Sequence, residues 1–234
     1  NAAYSYSSFH LLIITFVGAQ NYTSQLYLYD DMDQALALEI MEEGESVLLT
    51  GPAGSGKTYV LNEFIRRAKK LHKTVAVTAT TGLAATHLGG NTIHSWSGIG
   101  VLEELPKKFY EGLTKSKIDN LTKTDILIID EISMLHDYRL DMIDTLLRGA
   151  RKNDVPFGGV QIILCGDFFQ LPPVNRRDAR DGSFVVNSSS WQDLGPVICY
   201  LDEQHRQDDE LFLDILSAIR GNDIRRRHVT ALQG

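Results

Sequence analysis

The run Gly51-Pro52-Ala53-Gly54-Ser55-Gly56-Lys57-Thr58 constrains the fold of this chain more than any other segment. It fits the pattern G-x-x-x-x-G-K-[ST], in which the backbone N–H groups of a glycine-rich turn surround phosphates. Ahead of it, Val47-Leu48-Leu49-Thr50 is a short apolar run of β type. Behind it, Val60, Leu61, Phe64, Ile65, Ala68 and Leu71 recur at helical spacing. Strand, glycine loop and helix in that order aim a helix N-terminus at an anion. These flanks favour a nucleotide cradle over a solvated turn.

Four further β-type runs follow, at Thr74 to Thr80, Asp125 to Asp130, Val160 to Asp167 and Val197 to Leu201. Helical patterns separate them, clearest in Tyr138 to Arg151 and in Glu210 to Arg220. Near-continuous apolar strands alternating with helices predict an α/β fold, a mainly parallel sheet with helices on both faces. Ligands of such sheets sit beyond the carboxyl ends of the strands. The polar residues that end the strands fall at that edge: Thr50, Thr80, Asp130 and Asp167. Val101 to Thr124, with Pro106 and mixed charges, breaks the rhythm and is expected to be an insertion. Asn1 to Asp31, rich in Ser and Tyr, reads as an extension of undisclosed role, for which an added edge strand is the structural expectation, and Met32 as a possible natural start.

With 43% hydrophobic and 23% charged residues the composition is that of an ordinary globular chain. A formal net charge of −7 supplies no global basic field, so any DNA contact must come from a local surface. Cys165 and Cys199 are far apart, without a C-x-x-C pair. They read as small core residues with reduced thiols in an intracellular protein, and give no metal site. The apolar stretch Phe9 to Ala19 is too short to span a bilayer, so no membrane partner is expected.

Ile126-Leu127-Ile128-Ile129-Asp130-Glu131 places a carboxylate at the tip of a buried strand. Asp130 there can hold Mg²⁺ opposite the Thr58 hydroxyl, while Glu131 can take a proton from an attacking water. Lys57 supplies positive charge for phosphoryl transfer. In Gly166-Asp167-Phe168-Phe169-Gln170-Leu171-Pro172-Pro173, the amide of Gln170 can sense a γ-phosphate, and the two prolines stiffen the exit from it.

Five motifs occur in order: Thr78-Ala79-Thr80-Thr81-Gly82-Leu83-Ala84-Ala85, Gly89-Gly90-Asn91-Thr92-Ile93-His94-Ser95-Trp96, Asp130-Glu131-Ile132-Ser133-Met134-Leu135, the block ending Gln170-Leu171-Pro172-Pro173, and Gln204-His205-Arg206-Gln207. Together they resemble the Pif (petite integration frequency) family of superfamily 1 helicases, over about Met32 to Arg220. The resemblance implies a RecA-like P-loop NTPase domain over residues 32–222, with ATP and Mg²⁺ as cofactors. It further implies 5′-to-3′ travel on single-stranded DNA, with forked duplex, G-quadruplex and RNA–DNA hybrid substrates. Roles in repair, recombination and telomere or genome maintenance, and location in cytoplasm, nucleus or mitochondrion, come with it. A monomer is expected.

Carried over by position, Gln34 resembles the family's adenine-reading glutamine, and a surface amide at a helix start is the alternative. Gly51, Pro52, Ala53, Gly54, Ser55, Gly56, Lys57 and Thr58 hold the phosphates. Thr58 and Asp130 hold the metal, and Lys57, Glu131, Gln170 and Arg206 are the catalytic set. Arg206 resembles the arginine directed at the γ-phosphate. Thr81, Thr92, His94 and Ser95 resemble DNA phosphate contacts, which position without reading sequence. Trp96 stacks on a base or packs in the core, two alternatives the sequence leaves open, and His94 is a phosphate contact or a structural histidine. The insertion, about 101–124, corresponds to the family's small wedge subdomain. It carries Lys107, Lys108, Lys115, Lys117 and Lys123 against four acids, with Phe109 and Tyr110 as candidate strand-separating aromatics.

The residues after Arg206 are too few for the second motor domain that the resemblance implies. A piece of a longer helicase is therefore expected, with residues 223–234, including Arg225-Arg226-Arg227, beginning the connection. The alternatives are a nucleotide-gated DNA-binding module with little turnover and another P-loop enzyme such as a small-molecule kinase.

Overall fold

The computed structural model describes residues 32–175 and 180–201. The extension 1–31, Gln204 to Gln207 with Arg206, the helical pattern Glu210 to Arg220 and residues 223–234 lie outside the described residues.

Six strands, β1 (Val47–Thr50), β2 (Val75–Ala79), β3 (Asn91–Thr92), β4 (Ile126–Asp130), β5 (Gln161–Gly166) and β6 (Val197–Tyr200), form one sheet. Its order is β3-β2-β4-β5-β1-β6, and every pairing is parallel. The apolar runs set the strands, whose bounds fall within a residue of those read from sequence. The two-residue β3 carries no apolar run, which is why the sequence does not announce it. The helices are α1 (Gln34–Glu42), α2 (Lys57–Lys70), α3 (Gly82–His87), α4 (Ile93–Ser97), α5 (Lys115–Lys123), α6 (Asp137–Arg151) and α7 (Ser189–Leu194).

Alternation along each strand divides the core. Val47, Leu49, Ile126, Ile128, Ile163 and Cys165 join Ala37, Leu38 and Met41 of α1 and Val60, Leu61 and Phe64 of α2 in one buried cluster. Leu48, Leu127, Ile129, Ile162 and Leu164, of opposite parity, are buried in turn, so both faces of the sheet are covered. Full burial of each such side chain contributes about 1.5–3 kcal/mol. The thiols follow the same logic: burial pushes Cys165 well above the ordinary range and Cys199 to about 12, so both are neutral core residues.

α1 is tied at both ends. Asp33 Oδ1 accepts from the Leu36 amide at 2.7 Å. At the far end Gln161 Nε2 of β5 donates to Met41 O at 2.7 Å and Glu45 O at 2.8 Å. On the surface Arg67 of α2 pairs with Glu42 at 3.1 Å and with Glu63 at 2.7 Å. Hydrogen bonds from Arg66 and Arg67 hold the Glu63 carboxyl down to about 2.

The insertion holds no strand among the described residues, in keeping with its irregular sequence. It contains a 3-10 turn, Phe109–Gly112, and α5. Tyr110 Oη donates to Thr145 O and Leu146 O of α6, each at 3.1 Å. A Cβ on Gly149 would stand 2.0 Å from that oxygen, so glycine makes room for the ring. Arg151 Nη1 donates to Thr122 O at 2.7 Å and Thr124 O at 3.0 Å. Tyr110 thus docks the insertion on α6 through its hydroxyl, while its ring is partly exposed. Phe109 stands edge-on to it, 6.3 Å between ring centres.

Among the described residues no helix is long and apolar enough to cross a membrane.

Gly90 lies against the backbone of β2, where an added Cβ would stand 2.2 Å from Val77 O. Gly90→Ala is therefore expected to push β3 and α4 off the sheet edge and cost about 1–3 kcal/mol, read as a lower urea midpoint at unchanged slope.

Candidate active site

The glycine loop turns the end of β1 into the start of α2 using backbone that only glycine adopts without strain. Gly51, Gly54 and Gly56 have φ of +148°, +86° and +89°. Gly56 is the residue before the helix, so no side chain caps α2. In contrast, Asp33, Thr81, Thr92 and Thr114 cap α1, α3, α4 and α5. The first-turn N–H groups of α2 are left for a ligand, and the helix dipole favours an anion there. Two more observations test the fit of a phosphate chain. Ser55 is buried, yet its Oγ has no hydrogen-bond partner. The loop is also closely walled, since a Cβ on Gly51 would stand 2.3 Å from Leu201 O. The residues present suit the group.

Lys57 Nζ donates to Gly51 O at 2.8 Å and Pro52 O at 2.9 Å, which folds its ammonium over the loop. Gln34, the first residue of α1, reaches the loop too: its Nε2 donates to Ser55 O at 3.3 Å. Thr58 is exposed in the first turn of α2, one residue beyond Lys57.

β4 delivers the carboxylates to the same corner. Asp130 ends the strand, and its Oδ1 accepts from the Glu131 amide at 2.9 Å. Glu131 is left-handed, with φ 55° and ψ 42°, a conformation that costs a non-glycine residue about 1–3 kcal/mol. Burial, then the Asp130 charge, raise the Glu131 carboxyl above its ordinary range, while Lys57 opposes them. Asp167, at the tip of β5, adds to that rise. Lys57, Asp130, Glu131 and Asp167 therefore share one electrostatic neighbourhood at the carboxyl edge of the sheet. Among the described residues no group of three or more His, Cys, Asp or Glu makes a metal cage.

Two residues of this corner escaped assignment from sequence. Asp167 is 3% exposed. Its Oδ1 accepts from the Phe169 amide at 3.1 Å and its carbonyl from the Gln170 amide at 2.9 Å, so it shapes the turn that carries Gln170. Its signal was the same as that of Asp130, a polar residue closing an apolar strand. Gln170 is exposed on that turn. Thr80 donates its amide to Asp130 O at 3.1 Å and its hydroxyl to Glu131 O at 2.9 Å. It holds the left-handed residue in place, a role that no motif spells out.

Thr80 leads straight into the segment assigned to DNA. Thr81 Oγ1 accepts from the Ala84 amide at 3.2 Å, and Thr92 Oγ1 from the Ser95 amide at 3.1 Å, so both hydroxyls cap short helices. Ser95 is exposed, and Lys117 Nζ of the insertion donates to its carbonyl. Trp96 is 8% exposed, so of its two alternatives the structure shows core packing. His94 is half-buried, and burial together with nearby Arg139 and His136 lowers it to about 4. It is neutral at physiological pH and offers a hydrogen bond rather than a charge. Arg206 lies outside the described residues; the chain leaves β6 at Leu201, beside Gly51.

A model of the PIF1-like helicases matches residues 25–221. The chain is 49% identical over 213 residues to the ATP-dependent DNA helicase Pif1 of Psychrobacter sp. (strain PRwf-1), covering 86% of this chain and 32% of that one. The chain thus spans about a third of that relative's length. Its fold matches the crystal structure of Pif1 helicase from Candida albicans with a TM-score of 0.77 at 34% identity, covering 87% of this chain and 47% of that one. It also matches Bacteroides Pif1 in complex with ADP-AlF3 and ssDNA, with a TM-score of 0.73 at 35% identity, covering 88% and 49%.

Thr80→Val keeps the shape of the side chain and removes the hydroxyl. Nucleotide turnover is expected to fall about two- to tenfold with affinity nearly unchanged, and Thr80→Ser to restore it; steady-state kinetics measure both. His94 binds a proton more readily in the unfolded chain than in the folded one. The contribution of a neutral His94 to stability is therefore fully present above about pH 6.5 and is lost as pH falls toward 4. In His94→Gln the fall in Tm between pH 7 and pH 5 is expected to be shallower.

Proposed function

The chain belongs to the PIF1-like helicase family, and on that premise we propose that it is the first RecA-like motor domain of an ATP-dependent DNA helicase. The proposed motor moves 5′ to 3′ on single-stranded DNA and opens forked duplexes and G-quadruplexes. Its proposed setting is intracellular, in repair, recombination and telomere or genome maintenance. The proposed domain covers residues 32–222, with the insertion as wedge and the residues beyond 222 leading to a second motor domain. The observation that carries this reading is the meeting of Lys57, Asp130, Glu131 and Asp167 at the uncapped start of α2.

The residues divide the work as follows. Gly51 to Thr58 bind the phosphates through the loop amides, with the Lys57 ammonium moving from its carbonyl partners to the incoming charge. Thr58 and Asp130 would hold Mg²⁺, which when bound neutralises phosphate charge. Glu131 accepts the proton of the attacking water; its raised affinity for protons suits a base working near neutral pH. Gln170 senses the phosphate end, and Arg206 supplies a further positive charge. On the DNA side, the hydroxyls of Thr81, Thr92 and Ser95 and the neutral imidazole of His94 bind backbone phosphates, with the buried Trp96 anchoring α4. Contacts of this kind fix position without reading bases.

A DNA-stimulated ATPase assay on the full-length protein, paired with nucleotide binding, tests this. Lys57→Ala is expected to abolish nucleotide binding. Glu131→Gln should bind normally and lose about 10²- to 10⁴-fold in turnover. Equal loss of binding in both variants, or no stimulation by single-stranded DNA, would refute the assignment.

A further inference from the structure

We propose that Gln34 is a positioning residue for the glycine loop, holding its Ser55–Gly56 peptide in phosphate-binding shape whichever base the nucleotide carries. This rests on the nucleotide reading above and adds a role that base recognition alone does not require.

The Gln34 amide occupies the space directly over Gly56. A Cβ at Gly56 would stand 2.1 Å from Gln34 Nε2 and 3.0 Å from its Cδ. From there Nε2 donates to Ser55 O. The peptide it touches joins a buried serine with an unpartnered hydroxyl to a glycine at φ +89°. A glycine gives up many backbone conformations to hold one, so this stretch gains from an outside tie.

The tie has a firm base. Gln34 begins α1, whose buried residues Ala37, Leu38 and Met41 pack in one cluster with Val60, Leu61 and Phe64 of α2. Glu42 and Gln161 fix the other end of α1. The loop is thereby gripped from a helix fastened to the very helix the loop feeds. A primary amide has two N–H donors and one acceptor. One donor spent on Ser55 O leaves a donor and the carbonyl oxygen for a base, so the two roles coexist. The loop contact nevertheless acts on ligands that have no base at all.

Mg·ATP, Mg·GTP and inorganic tripolyphosphate binding to the 234-residue chain, measured by calorimetry, separates the roles. Gln34→Met retains volume over Gly56 and removes the donor. It is expected to weaken all three ligands by a similar factor, about two- to tenfold. Gln34→Glu, of equal length but with acceptors in place of the amide, should weaken all three at least as much. Loss confined to Mg·ATP would make Gln34 a base reader only and overturn the proposal while the nucleotide reading stands. Wild-type affinity for every ligand in Gln34→Met would reduce the contact to packing and overturn it as well. A wild-type chain that binds none of the three would refute the nucleotide reading, and this inference with it.

Discussion

The bare N-terminus of α2 is the constraint on which the rest of the structure depends. A helix that begins at a left-handed glycine has no side chain at its cap with which to satisfy its own first amides. The arrangement is stable because the strand before it and the helix after it are both deeply packed. Val47 to Thr50 lie between β5 and β6, and Val60, Leu61 and Phe64 are buried beneath the sheet. Packing holds in place one conformation out of the many that its glycines could adopt.

The same logic accounts for the carboxylates. β4 and β5 are neighbours in a parallel sheet, so their tips arrive side by side, and Asp130, Lys57 and Asp167 all act on the Glu131 carboxyl without a dedicated scaffold. Burial, and then the crowding of like charge, make Glu131 hold a proton more tightly than a free glutamate. Thr80 closes the arrangement from β2, one residue before the helices assigned to DNA. Its two hydrogen bonds make the end of β2 and the turn after β4 a single unit.

The sheet and the cleft were largely legible because each is written in consecutive residues. Apolar runs mark β1, β2, β4, β5 and β6, and the polar residue closing each run marks the cleft edge. β3 was not legible, since two residues pair with β2 through backbone alone and leave no pattern. Trp96 was undecided because an aromatic ring carries no sign of which way it faces. The docking of Tyr110 was hidden for a related reason: its partners are carbonyls of α6, far along the chain and identical at every residue type. The grip of Gln34 on the loop was hidden likewise, because Ser55 O is backbone and Gly56 contributes only an absence of side chain.

Tyr110 fastens the middle of the insertion to α6, Arg151 of α6 holds its C-terminal end, and Lys117 joins it to α4. A segment held at three places behaves as a bracket rather than a tether. Displacing it must strain those hydrogen bonds, so a push on its outer surface is shared with α6 and α4. Stiffness of that kind is what separates a lever from a flexible flap.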